Sequence, residues 1–173
     1  QPHNVDFSNP HKILKKLDGS MVTSMIINNK VIWCSKMGIT FISPMVASFV
    51  ADKQYYDAFA RYCANNDITP IFEFTSPDNR IVISYGIDNL VLLAARHNVS
   101  GIYIDIYSSD FANVVQHYNI PTVDTISSFN SVSDLIDYVR PLKGEEGFVI
   151  AFDDGYRLKI KADEYVRIHK TKD

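Results

Sequence analysis

The sequence predicts an α+β fold in which helices pack on antiparallel sheets. Short runs rich in β-branched residues alternate with turn signals, and one apolar stripe at helical spacing runs between Ser43 and Asn66. Two apolar runs flanking Asp153-Asp154-Gly155 close the chain as a hairpin. With 173 residues, 46% of them hydrophobic, the chain can bury a proper core. No repeat, low-complexity tract or Gly/Ser linker argues for a second full domain.

Gln1 to Pro10 is polar, carries two prolines and reads as an irregular lead-in. Ser20–Ile27 and Val31–Lys36 read as strands, with Asn28-Asn29-Lys30 as the hairpin turn between them. Ser43-Pro44 has the chemistry of a helix start, a capping serine before a proline at the first helical position. The helical segment extends to about Asn66 with a break near Asp52, and Tyr56, Phe59, Ala60 and Cys63 form its core stripe. Strands follow at Pro70–Thr75, Arg80–Tyr85 and Leu90–Arg96, and another short one at Gly101–Tyr107. Asp110–Tyr118 and Val132–Arg140 read as helices. The final hairpin pairs Gly147–Phe152 with Tyr156–Lys161, and Asp163–Lys170 has the pattern of a capped helix start.

The net charge is only -3, so nucleic-acid binding would need local positive charge, for which Lys12, Lys15, Lys36, Lys159 and Lys161 are the candidates. Cys34 and Cys63 are too few and too scattered for a disulfide framework or a zinc site, and read as reduced buried thiols. The five histidines are not paired at metal-ligand spacing, and no apolar run approaches a membrane span.

The chemistry centres on Lys16-Leu17-Asp18-Gly19-Ser20. A lysine becomes a nucleophile when neighbouring cations or burial favour its neutral amine. Strand alternation sends Lys15 and Lys16 to opposite faces, so one of them alone can serve a pocket. Gly19 allows close backbone approach, Ser20 adds a hydroxyl, and Asp18 can orient the turn. The pattern is short and recurs by chance; its company along the chain carries the argument. Ser35-Lys36 follows, then Glu73 between Phe72 and Phe74, a carboxylate that is expensive to bury without a partner. Glu146 stands at the mouth of an apolar strand, and Lys159 and Lys161, two residues apart, share one strand face.

In this order and spacing the sequence resembles the bacteriophage-type RNA ligase 1 family of the covalent lysine nucleotidyltransferase superfamily. The matching motifs are Lys16 through Ser20, Ser35-Lys36, Phe72 through Val82, Glu146-Gly147 and Lys159-Ile160-Lys161. The resemblance implies an antiparallel-sheet nucleotidyltransferase (ATP-grasp-like ligase) core, an adenylyltransferase domain spanning residues 1–173. It implies that Lys16 attacks the α-phosphorus of ATP, that AMP passes to an RNA 5′-phosphate, and that a 3′-hydroxyl seals the strands. Lys159 and Lys161 would meet the α-phosphate and Glu146 the divalent metal, Mg²⁺ or Mn²⁺. Glu73 would bond the ribose, Lys36 would touch phosphate, and Tyr165 would flank the nucleotide. The substrates would be ATP and RNA ends, cleaved tRNA among them, in RNA repair within the cytoplasm of a cell, including one infected by a bacteriophage.

Two departures from the family pattern stand out. Fifteen residues precede Lys16 and none is an arginine, whereas the family carries an upstream arginine and tyrosine that contact ATP. The chain also ends at Asp173, where the family continues into a specificity domain. The expectation is therefore a core without those two parts. Two alternatives have distinct signatures: a capping or DNA-joining enzyme of the same superfamily, and a nucleotide- or RNA-binding fragment that forms no lysine adduct.

Overall fold

The computed structural model describes residues 6–35, 42–77 and 87–163. Within them the chain forms nine strands and four helices in two antiparallel sheets, the α+β architecture expected. These elements divide into two compact units. The first holds the described residues 6–18 and 123–163, and the second holds 19–35, 42–77 and 87–122.

The first unit is built on β1 (His11–Lys16), β7 (Thr125–Ile126), β8 (Gly147–Phe152) and β9 (Arg157–Lys161), in the order β7-β1-β8-β9. Alternation along these strands buries Ile13, Phe148, Ile150, Phe152 and Ile160 on one face. That face is covered by α4 (Val132–Val139), which contributes Val132, Leu135 and Val139. Ser131 caps this helix, its hydroxyl accepting from the Asp134 N–H at 3.1 Å. In the β8–β9 turn the Asp154 carboxylate accepts from the Tyr156 N–H at 2.9 Å, and Gly155 supplies φ of 98°.

The second unit carries β2 (Ser20–Ile27), β3 (Lys30–Ser35), β4 (Ile68–Thr75), β5 (Asn89–His97) and β6 (Tyr103–Ile104), in the order β3-β2-β4-β5-β6. Asn28 and Asn29 take φ of 51° and 63°, the left-handed pair that a two-residue hairpin turn requires. Three helices belong to this unit: α1 (Ile42–Val50), α2 (Gln54–Asn65) and α3 (Asp110–His117). Its core joins Val22, Trp33, Phe72, Phe74, Leu90 and Leu92 of the sheet to Val46, Tyr56, Phe59 and Phe111 of the helices. The buried Tyr56 hydroxyl is satisfied by donating to the Leu90 carbonyl at 2.6 Å.

Several elements differ from expectation, each for a local reason. Helix α1 begins at Ile42, so Ser43 lies inside the first turn, buried, rather than capping it. The expected strand over Gly101–Tyr107 shrinks to β6 because the Asp105 carboxylate accepts from the N–H groups of Tyr107 (2.8 Å) and Ser108 (3.3 Å) and turns the chain. Strand β7 was not anticipated: two residues carry no alternation, and only pairing with Ile13 and Leu14 defines them. The expected strand Arg80–Tyr85, and all but the first residue of the expected helix start Asp163–Lys170, lie outside the described residues.

Candidate active site

In the first unit, backbone register assembles the charged groups. Lys16 pairs with Gly147 across β1–β8, and Gly147 pairs with Lys161 across β8–β9. Cross-strand partners share a face, so Lys16 and Lys161 flank a position with no side chain. The next row on the same face runs Leu14, Val149, Lys159. This is the face opposite Ile13, Phe148, Ile150 and Ile160, which bury against α4. Lys159 and Lys161 are exposed, and Lys15 lies on the other face, in register with Phe148.

Glu146 completes the group. Its side chain is 3% exposed and forms an ion pair with the Lys16 ammonium, which is 19% exposed. A carboxylate this deeply placed needs such a partner. Its own backbone is fixed, because the Glu146 carbonyl accepts from the Ala162 N–H at 2.9 Å. Gly147 beside it has φ of 145°, and a Cβ there would stand 2.0 Å from the Ile160 carbonyl oxygen and 2.8 Å from the Lys161 Cα. Only glycine lets β9 approach closely enough to bring Lys161 alongside Lys16.

In the second unit, Glu73 lies on β4 between Phe72 and Phe74, both of which are fully buried in the core. Strand alternation therefore turns Glu73 to the opposite face. There its carboxylate accepts from the Gly19 N–H at 3.0 Å, tying β4 to the end of the lysine motif. Gly19 is needed for space: a Cβ would lie 2.2 Å from the Phe74 carbonyl oxygen. Ser20 then pairs with Phe74 as β2 begins, while Asp18, at 1% exposure, is buried. Both glycines are thus accounted for by close approach of the backbone.

Lys36 and Tyr165 lie outside the described residues, as do Asp78 through Val82 of the string around Glu73. Among the described residues no three His, Cys, Asp or Glu side chains cluster as a metal cage. Reading single residues missed two features of the site. The motif alone does not say why Gly147 is glycine; the register of β8 against β9 does. Arg157 occupies the same strand face as Lys159 and Lys161, and its spacing of two residues was the available signal.

A family model described as RNA ligase, of the phage ligase 1 type, matches residues 3–165. The chain belongs to the RNA ligase family. Solved structures of ligases share its fold. An apo variant of Naegleria gruberi RNA ligase matches with a TM-score of 0.74 at 13% identity, over 94% of this chain and 52% of that one. Another variant of the same ligase, with ATP and Mn, gives 0.72 at 14% identity over the same shares. An archaeal ATP-dependent RNA ligase gives 0.73 at 15% identity, over 91% of this chain and 44% of that one. This ligase-family chain thus spans about half the length of the structures it matches. No helix among its described residues is long and apolar enough to cross a membrane.

Proposed function

We propose that the chain is the nucleotidyltransferase core of an ATP-dependent RNA ligase, with Lys16 as its nucleophile. The observation that carries this reading is the convergence of Lys16, Glu146, Lys159 and Lys161 on one end of one sheet face in a member of the RNA ligase family. The ATP-bound fold relative supports ATP as the donor.

In the first step the neutral Lys16 amine attacks the α-phosphorus of ATP. A P–N bond forms, the bond to the bridging oxygen breaks, pyrophosphate leaves, and the amine proton passes to solvent. Lys159 and Lys161 neutralise the oxygens on which charge develops. An oxygen of the RNA 5′-phosphate then attacks the adenylate phosphorus and frees the lysine. Finally a 3′-hydroxyl attacks that 5′-phosphate, expels AMP and leaves a phosphodiester. The substrates are RNA ends bearing 5′-phosphate and 3′-hydroxyl, cleaved tRNA included.

Glu146 governs the resting state. Paired with it, Lys16 is held as the ammonium, which has no lone pair to attack. Separation of the pair leaves Lys16 among the like charges of Lys159 and Lys161, which favour the neutral amine. A single buried carboxylate next to phosphate oxygens also suits Mg²⁺ or Mn²⁺, which bind through one or two carboxylates, substrate phosphates and retained waters. Glu146 would hold that cation, and when bound it supplies further charge neutralisation at the phosphates. Glu73, Lys36 and Tyr165 are assigned to the ribose, phosphate and nucleotide flank respectively.

Incubation with α-labelled ATP and a divalent metal, followed by a denaturing gel, tests the reading. A covalent label is expected on this chain and not on Lys16→Ala. A label that survives that substitution overturns the assignment of Lys16.

A further inference from the structure

In the second unit, β3 is the end member of the order β3-β2-β4-β5-β6, and among the described residues no strand pairs with its outer edge. Ile27 and Lys30 flank the two-residue turn between β2 and β3, and residues so placed exchange both backbone hydrogen bonds with each other. Alternation therefore points the N–H and C=O groups of Lys30, Ile32 and Cys34 at β2, and those of Val31 and Trp33 outward. Sheets guard such edges with charge, proline or a bulge. The run Val31-Ile32-Trp33-Cys34 has no charge and no proline, and its register with β2 is unbroken.

Beside this edge lies a cavity of about 800 Å³, within the range of ligand sites. Val31 and Trp33 line it from β3, Val50 from α1, and Tyr55, Ala58 and Arg61 from α2. The two residues with outward backbone groups thus also wall the cavity with their side chains, which pack towards the helices. At the turn end, Arg61 donates to the Asp57 carboxylate at 2.7 Å and to the Asn29 carbonyl at 3.0 Å, so its charge is answered. Lys30, next to the turn, is exposed, and no acid pairs with it among the described residues.

We infer that β3 takes up an extended peptide segment of a partner protein as an added antiparallel strand. Main-chain hydrogen bonds to Val31 and Trp33 hold the segment, and the side chains beside them select it. Partner residues opposite Val31 and Trp33 share the helix side of the sheet and enter the cavity, so they are apolar. The residue opposite Lys30 lies on the other side, where an acidic side chain complements the ammonium. From the partner's N-terminal end the pattern runs apolar, any residue, apolar, acidic. None of the residues assigned to adenylate chemistry takes part, so this site is independent of the ligase reading.

The probe is a blocked hexapeptide, Ser-Val-Thr-Val-Glu-Ser, titrated into the whole chain. Trp33 is the chain's one tryptophan and lines the cavity, so its emission reports occupancy. A saturable change is expected. N-methylation of the two valines keeps their side chains but removes the donors to the Val31 and Trp33 carbonyls. Each lost bond is expected to weaken binding about fivefold, and the two together about 25-fold. Val31→Pro deletes one outward donor on an edge strand, where proline is tolerated, and should weaken binding about fivefold. Lys30→Ala should weaken it about threefold and reduce its salt dependence.

Absence of a saturable change overturns strand addition. So does equal binding of the N-methylated peptide, a result that needs no variant to fold, because it would reduce the contact to apolar adhesion. Sedimentation of the chain alone supplies a further arm. A dimer that Val31→Pro disperses would assign the edge to a second copy and overturn the partner segment; a monomer leaves the edge open, as strand addition requires.

Discussion

Gly147→Ala tests whether backbone register builds the site. The added Cβ would sit 2.0 Å from the Ile160 carbonyl oxygen, 2.8 Å from the Lys161 Cα and 3.0 Å from the Ile160 carbonyl carbon. All three are backbone atoms, so no side chain can swing aside; β9 must move. Alanine at φ of 145° adds backbone strain of about 1 to 3 kcal/mol. Opening the end of the β8–β9 pairing forfeits one or two hydrogen bonds at about 1 kcal/mol each. The total, about 2 to 5 kcal/mol, corresponds to a fall of roughly 10 °C in the unfolding midpoint. Thermal unfolding followed by circular dichroism reads that shift. Hydrogen exchange localises it, because the Ala162 N–H that donates to the Glu146 carbonyl should exchange faster. An unchanged midpoint with unchanged protection at Ala162 would refute the claim that glycine is required for β9 to close on β8.

Other outcomes follow from the same geometry. Glu73→Ala removes the acceptor for the Gly19 N–H and should cost about 1 to 3 kcal/mol in urea unfolding, whereas Glu73→Gln, which keeps an acceptor oxygen, should cost less. Burial pushes the Cys63 thiol up to about 12, so it should resist thiol reagents in the native chain and react on unfolding. The same shift has a sign for stability. An unfolded cysteine titrates near 8.5, so its contribution is intact below that pH and is lost as pH rises from there towards about 12. A Cys63→Ala comparison of alkaline stability profiles checks the direction.

Much of the fold was legible because local chemistry and tertiary structure agree. Asn28-Asn29 announces a hairpin whose turn needs two left-handed residues, and both adopt them. The stripe Tyr56, Phe59, Ala60 and Cys63 is wholly buried. Where signals were weak, a tertiary contact or a side-chain turn decided: β7 exists only through β1, and Asp105 ends β6. The site was legible as a list of residues more than as a geometry. Alternation separates Lys15 from Lys16 and joins Lys159 to Lys161, but sequence holds no register between β1 and β9. Hence the sequence does not separate Lys12 from Lys15, place Arg157 on the lysine face, or pair Lys16 with Glu146. Glu73 was singled out because a charge between two core aromatics demands a purpose. One partner of its carboxylate is the Gly19 N–H.

The central claim is that Lys16 carries AMP. Proteolysis of the chain after reaction with ATP and Mg²⁺, with mass spectrometry of the peptides, tests it most directly. The account predicts one adenylate, acid-labile as a phosphoramidate is, on the peptide containing Lys16-Leu17-Asp18-Gly19. An adenylate mapped instead to Lys12, Lys159 or Lys161, with Lys16 unmodified, would contradict it.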